Sequence, residues 1–263
     1  MAKATAFAPA TIANLGVGFD IVGLALREPG DTVTAEWSEE PGITIADIEG
    51  DGGKLARDPS RNTASVAART VRNTVGETRG IKLTIHKGLP LASGMGSSSA
   101  SAVAGAVAVN ALLGEPLKKA ELLPACLDGE EMASGRHADN VAPCLFGGIT
   151  LIYGTDINQI VQLPIPENLW FALVTPAVEV PTAQARAVLP KTIPLKQMVS
   201  QTAGVARLID SIHRGDLQAL AAAMESDSVV EPARAHLMPL LAEVRSAAKA
   251  AGALGLAISG AGP

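Results

Sequence analysis

Residues 90–114 read PLASGMGSSSASAVAGAVAVNALLG. Two glycines and three consecutive serines crowd against an alanine-rich run, which carries a helical pattern as far as Leu113, with Gly114 as its stop and Pro116 just beyond. A helix start exposes unpaired N–H groups and a partial positive charge, so it favours an anion. Glycine lets a phosphate approach the backbone, and serine hydroxyls can donate to it or bind Mg²⁺. Pro90, Gly94, Gly96 and Ser97, Ser98 and Ser99 therefore have the chemistry of a phosphate cradle. The stretch is neither of the two common glycine motifs. No lysine follows the second glycine as a Walker A loop requires, and Ser99 stands where a dinucleotide motif has its third glycine. Read alone, the pattern leaves ordinary helix capping and phosphate binding both open.

The remainder of the chain bounds the answer. Its 263 residues fit one large or two smaller domains, and 48% are apolar, with few aromatics. That is a soluble α/β or α+β composition. A net charge of −5 and the lack of a long basic stretch exclude a nucleic-acid footprint. Cys126 and Cys144 lack CxxC spacing and are expected to be buried free thiols in a reducing compartment. The N-terminus has no charged leader before a long apolar run, and residues 100–113 are too short to span a bilayer. A cytoplasmic protein without membrane contact is expected.

Along the chain, IKLTIH (81–86) alternates as a half-buried strand before the serine-led helix. A second helical stretch, about 118–134, contains Pro124 and is expected to be kinked or split. Gly147 and Gly148 precede a strand in ITLIYG, and the two prolines of QLPIPEN (162–168) mark a domain boundary. WFALVTP (170–176) is expected as a strand, 197–213 as a helix, Asp216 as the N-cap of LQALAAAM, and a last helix from about 239 to 251. The alternation predicts two α+β halves, each of two layers.

PLASGMGSSSAS resembles the P-x-x-x-G-[LM]-G-S-S-[AS] phosphate loop of the GHMP kinases. APATIANLGVGFDIVGLAL (8–26), GRHADNVAPCLFGGITL (135–151), PTAQARAVLP (181–190) and EPARAHLMP (231–239) are similar, in order, to motifs of the homoserine kinase branch. The resemblance implies a two-domain α+β GHMP kinase fold. Residues 1–161 would form an N-terminal domain like ribosomal protein S5 domain 2, with the phosphate loop at 90–101; residues 162–263 would form a ferredoxin-like C-terminal domain, incomplete here. ATP and substrate would bind between them.

The activity implied is transfer of the γ-phosphoryl of ATP to the side-chain hydroxyl of L-homoserine, giving O-phospho-L-homoserine for threonine biosynthesis. By the same resemblance Asp20 and Asn14 hold the amino end. Arg186 and Arg234 clamp the carboxylate with bidentate geometry that lysine lacks. Thr182, His137 and Asn140 complete the substrate site, with His137 as a hydrogen-bonding group and not a metal ligand. The nucleotide would meet Pro90, Gly94, Met95, Gly96, Ser97, Ser98, Ser99 and Ala100, with Asn62 and Lys87 near adenine and ribose. Mg²⁺ would be held by Ser98 and one carboxylate. This is Glu130 by register from the left, although one residue fewer than usual separates Gly129 from His137 and lets Glu131 compete. Asn140 stands where the mevalonate kinase branch has an aspartate that takes the hydroxyl proton. The implied catalytic set of Ser98, Glu130 and Asn140 therefore works by positioning and charge stabilisation without a base, with Asp139 as the competing base.

The chain ends at SGAGP (259–263), where the family begins a glycine-rich turn that packs by the phosphate loop and then continues. Three readings follow: a fragment, a protein completed by a partner or as a homodimer, or a folded but impaired enzyme. Another small-molecule GHMP kinase and a silent nucleotide-binding protein are the functional rivals.

Overall fold

The computed structural model describes residues 2–176 and 178–262. Six strands form one sheet: β1 (Lys3–Ala13), β2 (Val22–Ser38), β3 (Ile43–Glu49), β4 (Gly80–His86), β5 (Ile149–Ile152) and β6 (Ile160–Leu163). Their order is β3-β4-β2-β5-β6, with β1 also paired to β2. The long β2 organises everything else. Its C-terminal part pairs antiparallel with β4, Thr34 opposite Thr84, while its first residues pair with β5, Val22 opposite Leu151. β1 runs antiparallel along β2, with a register shift between Pro9 and Thr11. β3 and β4 are parallel.

Between strands lie α1 (Thr63–Thr74), α2 (Ser97–Leu112), α3 (Leu123–Ser134) and α4 (Val141–Phe146). The prolonged alanine run makes α2 apolar on nearly every side, and such a helix must be enclosed. It packs on β1 and β2 below and on α1 and α3 above, in a core that joins Val33, Ile81, Leu83 and Ile85 of the sheet to Val103, Val109, Val71 and Leu127 of the helices. Pro124 sits in the first turn of α3, after a 3₁₀ turn at Lys119–Leu122, so the proline splits the predicted helix where its missing N–H costs nothing.

The later chain contributes α5 (Thr182–Ala187), α6 (Leu195–Arg214), α7 (Leu217–Met224), α8 (Val230–Arg234) and α9 (Leu241–Ala250). Asp216 caps α7, accepting from the Ala219 N–H at 2.9 Å. Leu208, Ile212 and Leu220 of α6 and α7 form a second core with Leu15, Val22, Leu24 and Ile149. The expected strand over 170–176 does not form. Among the described residues beyond Leu163 there is no ladder, and Trp170 and Val174 lie exposed. An apolar run of strand-forming residues needs a neighbouring strand to hydrogen-bond, and this one has none among those residues. The expected sheet layer of the second half is therefore not observed. The first sheet also runs through Leu163, so a division after residue 161 would fall inside β6. No helix among the described residues is long and apolar enough to cross a membrane.

The α1–α2 contact depends on one small residue. A Cβ at Gly105 would stand 2.5 Å from the Ala64 carbonyl oxygen. Gly105→Ala adds helix propensity of about 1 kcal/mol, but overpacking against backbone costs about 1–3 kcal/mol. The expected net result is a lower Tm in a thermal melt, opposite to the propensity change; a raised Tm would contradict the packing described.

Candidate active site

The helix that the serines begin has no side-chain cap. Its N-cap is Gly96, in a left-handed conformation (φ 66°), and no hydroxyl accepts from the first-turn N–H groups. Of the two readings that the sequence leaves open, ordinary capping by a serine side chain does not form. A residue with a side chain cannot occupy position 96, since a Cβ would lie 2.0 Å from Thr11 Oγ1 and 2.9 Å from Asn140 Oδ1. The serines face elsewhere. Ser98 Oγ donates to Glu130 Oε1 at 3.0 Å and Ser99 Oγ to Glu130 Oε2 at 2.7 Å, and Ser134 also donates to Glu130. Burial pushes the Glu130 carboxyl up, with these hydroxyls and Lys87 opposing. Glu131, one residue on, turns outward to Arg136 at 3.1 Å.

A cavity of about 410 Å³ opens from this helix end. Asn14, Asp20, Lys87, Gly94, Gly96, Ser97, Ser98, Glu130, His137, Asn140, Thr182, Arg186 and Arg234 all line it. Residues from both halves of the chain thus converge on one space. Pro90, which is exposed, and the buried Met95, Ser99 and Ala100 do not line it. Met95 takes the Thr11 N–H on its carbonyl at 3.0 Å, and the Ala100 N–H closes the first turn onto Gly96. Asn62 is not on the cavity either. Its side chain caps α1, its oxygen accepting from Ala64 and Ser65 and one N–H donating to the Ala56 carbonyl, which leaves one amide N–H without a partner.

At the far side, α5 and α8 bring two arginines together. Arg186 donates twice to Asp20, at 2.8 and 3.1 Å, and its Nε has no partner. Burial opposes the Arg186 charge, but the bonds to Asp20 outweigh it and raise the guanidinium. Arg234 is buried, with Nε on the Ala185 carbonyl at 3.0 Å and Nη1 on the Gly260 carbonyl at 2.9 Å. Burial, with Arg186 beside it, pulls its guanidinium down. Both guanidiniums lie over the Phe19 ring, at 5.5 and 5.1 Å from its centroid. Asn14 donates to the same Gly260 carbonyl at 2.9 Å and accepts the Asp20 N–H at 3.0 Å. The glycine-rich turn at 259–262 thus packs against both sites, and Ser259 Oγ reaches the Gly94 carbonyl at 2.6 Å. His137 is held below its ordinary range by burial and by Arg186, with Asp20 opposing, so its imidazole is neutral at pH 7.

Several lining residues carried no sequence signal of their own. Phe19 and Gly260 work through an aromatic face and a carbonyl oxygen, and Ser134 through a hydroxyl four residues from Glu130. Thr11 donates to Asn140 Oδ1 at 2.7 Å, which takes one of the two acceptor sites of that oxygen and sets the amide with its NH₂ on the other side. Among the described residues no three His, Cys, Asp or Glu side chains could hold a metal by themselves.

The chain matches two families, GHMP kinases N terminal domain over residues 62–148 and GHMP kinases C terminal over 208–263. It is 41% identical to the homoserine kinase of Chloroherpeton thalassium, over 100% of this chain and 86% of that protein. It is 44% identical to the homoserine kinase of Arabidopsis thaliana, over 98% of this chain and 71% of that one. The crystal structure of homoserine kinase from Cytophaga hutchinsonii matches at a TM-score of 0.95 and 44% identity, over 99% and 83% of the two chains.

Asp139 gives the site a pH signature. Burial, with Asp20 and Glu130 as like charges and Arg186 opposing, raises its carboxyl from 3.8 to about 7. Between those values the folded chain binds a proton that the unfolded chain has released, so this group lowers stability as pH rises toward 7. Asp139→Asn removes the penalty. Its Tm should exceed wild type at pH 8, by an amount reaching at most about 4 kcal/mol in stability, and the difference should vanish near pH 4. An advantage independent of pH would contradict the assignment.

Proposed function

The chain belongs to the GHMP kinases, on their homoserine kinase branch, and from that we propose that it transfers the γ-phosphoryl group of ATP to the side-chain hydroxyl of L-homoserine. The product is O-phospho-L-homoserine, a precursor of threonine, made in the cytoplasm. The observation that carries this reading is the Asp20–Arg186 clasp, in the same cavity as an uncapped helix start.

An α-amino acid presents one ammonium and one carboxylate. Asp20 and Arg186 already satisfy each other, and such a substrate offers each of them a new partner of the right sign. The ammonium goes to Asp20 and the carboxylate to Arg186 and Arg234, where the planar guanidiniums bond in pairs. Asn14 holds the Asp20 backbone, while His137 and Thr182 supply neutral hydrogen bonds beside the same position. Mevalonate has a carboxylate but no ammonium and so offers Asp20 no partner, and a neutral sugar offers a partner of opposite charge to neither side of the clasp.

The phosphates of ATP then lie at the α2 N-terminus, on the N–H groups that no side chain caps. Ser98 and Glu130 fit Mg²⁺: a hydroxyl and a carboxylate 3.0 Å apart, both hard oxygen donors, lining the cavity. A Mg²⁺ held by these two residues would supply charge neutralisation for the phosphates. Asn140, its Oδ1 accepting from Thr11, donates to an oxygen of the acceptor or the phosphoryl group and cannot take a proton. Alignment and charge neutralisation carry the rate, and the hydroxyl proton leaves late to phosphate or water. One observation favours a second route. Asp139 lines the cavity with a carboxyl raised to about 7, the range that suits a general base.

A coupled ADP-release assay with Mg²⁺ and separate acceptors tests the reading. L-homoserine should drive release, while mevalonate and galactose should not. Release with either of those alone would transfer the chain to another small-molecule kinase, and nucleotide binding without any release would make it a silent binder. Arg186→Lys should raise KM for homoserine by roughly 10-fold or more with a smaller change in kcat. In the same assay Asp139→Asn decides between the two proton routes, since a loss in kcat beyond about 100-fold supports the base and a smaller one supports transfer without it.

A further inference from the structure

A second ion pair lies beneath the phosphate loop, and the proposed chemistry does not use it. Asp31, on β2, and Lys87, the residue after β4, meet with side chains 0% and 1% exposed. The lysine ammonium has three N–H groups, and each has a protein acceptor. One goes to Asp31 Oδ2, one to the Ser97 carbonyl at 2.9 Å and one to Ser101 Oγ at 2.7 Å. Asp31 is equally occupied. Its Oδ2 also accepts from Ser101 Oγ at 2.7 Å, and its Oδ1 takes the backbone N–H groups of Gly88 and Leu89 at 3.1 and 3.2 Å.

This network joins three places that sequence keeps far apart. Gly88 and Leu89 are the entrance of the loop, Ser97 and Ser101 are the first turns of α2, and Asp31 is the sheet. Both ends of the loop are therefore fixed to one strand residue. Stability alone gives little reason to keep such a pair. Taking two charges out of water is expensive, and an apolar pair of similar volume often serves a core as well. Saturation of the ammonium also removes the ground for a nucleotide contact by Lys87, since no N–H remains to donate.

We propose that Asp31 and Lys87 are positioning residues, which hold the backbone of residues 88–97 in the form that receives phosphate, and that Lys87 acts through Ser97 and Ser101 without touching the nucleotide. The inference rests on the reading of this loop as the phosphate site. It separates two properties that a direct contact would join. Displacing the loop weakens recognition of phosphates and leaves recognition of the nucleoside intact.

The test uses the full chain with Asp31→Asn, Lys87→Met and the double variant, titrated with Mg²⁺–ATP and with adenosine by calorimetry, alongside thermal melts. Each single variant should bind ATP at least ~10-fold more weakly, the effect of losing charge-assisted hydrogen bonds, while adenosine affinity stays at the wild-type value. The two losses should also be non-additive, because either change breaks the same network. Should the single variants fail to fold with one buried charge unpaired, the double variant has no charge to orphan and carries the same ATP-to-adenosine comparison. A parallel fall in adenosine affinity in Lys87→Met would overturn the proposal in favour of direct contact. An unchanged ATP-to-adenosine ratio with lowered Tm would overturn it in favour of a purely structural pair. A wild-type chain with no preference for ATP over adenosine would instead overturn the phosphate-loop reading, so the two failures are distinct.

Discussion

At Gly96 the chain turns through a left-handed conformation into α2, and the first-turn N–H groups have no side-chain acceptor. A helix start inside a cavity normally finds a cap, because unsatisfied donors away from water are costly. Here the serine hydroxyls do not serve: those of Ser98 and Ser99 bond Glu130 of α3, and that of Ser97 is buried without a protein partner. The site depends on this withheld cap. Thr11 and Asn140 stand so close that only glycine fits between them, and the same two side chains fix which end of the Asn140 amide faces the ligand. One missing Cβ therefore connects the packing of β1 against α2 to the donor set of the proposed transfer.

Two ion pairs near the cavity have opposite characters, and burial separates them. Asp31 and Lys87 are enclosed and saturated with hydrogen bonds, so neither has capacity for a ligand. Asp20 and Arg186 are about 30% exposed at their side chains, and Arg186 keeps an unpartnered Nε. An exposed pair is only modestly stabilised in water, so an incoming zwitterion can exchange it for two pairs at little cost. The enclosed pair cannot be exchanged in that way. In the proposed reading the enclosed pair belongs to the scaffold and the exposed pair to recognition. The distinction follows from exposure and bond count, and not from residue type.

Much of this was legible before any coordinates. Alternation in IKLTIH, the alanine-rich run and Asp216 ahead of LQALAAAM each obey a local rule, and each appears where that rule predicts. Pro124 marked the break before α3 for the same reason. What failed was non-local. Residues 170–176 have the composition of a strand, but a strand exists only with a partner, which a single stretch cannot reveal. The serines have the composition of a cap, yet Glu130, some thirty residues on, takes the hydroxyls of Ser98 and Ser99. Nor does the sequence show that the Lys87 ammonium is taken up by Asp31 and its neighbours, or that Asn62 caps α1. Phe19 and the Gly260 carbonyl carry no sequence signal because their contribution is a ring face and a backbone oxygen. Motif register located the cavity; it could not count the hydrogen bonds already spent inside it.

The most direct test of the central claim is a crystal structure of the full chain with Mg²⁺, a non-hydrolysable ATP analogue and L-homoserine. The account predicts terminal phosphates on the N–H groups at the start of α2, and the amino acid inserted between Asp20 and the two arginines with the Asp20–Arg186 pair opened. Phosphates bound away from that helix end, or homoserine bound with the pair still closed, would contradict it.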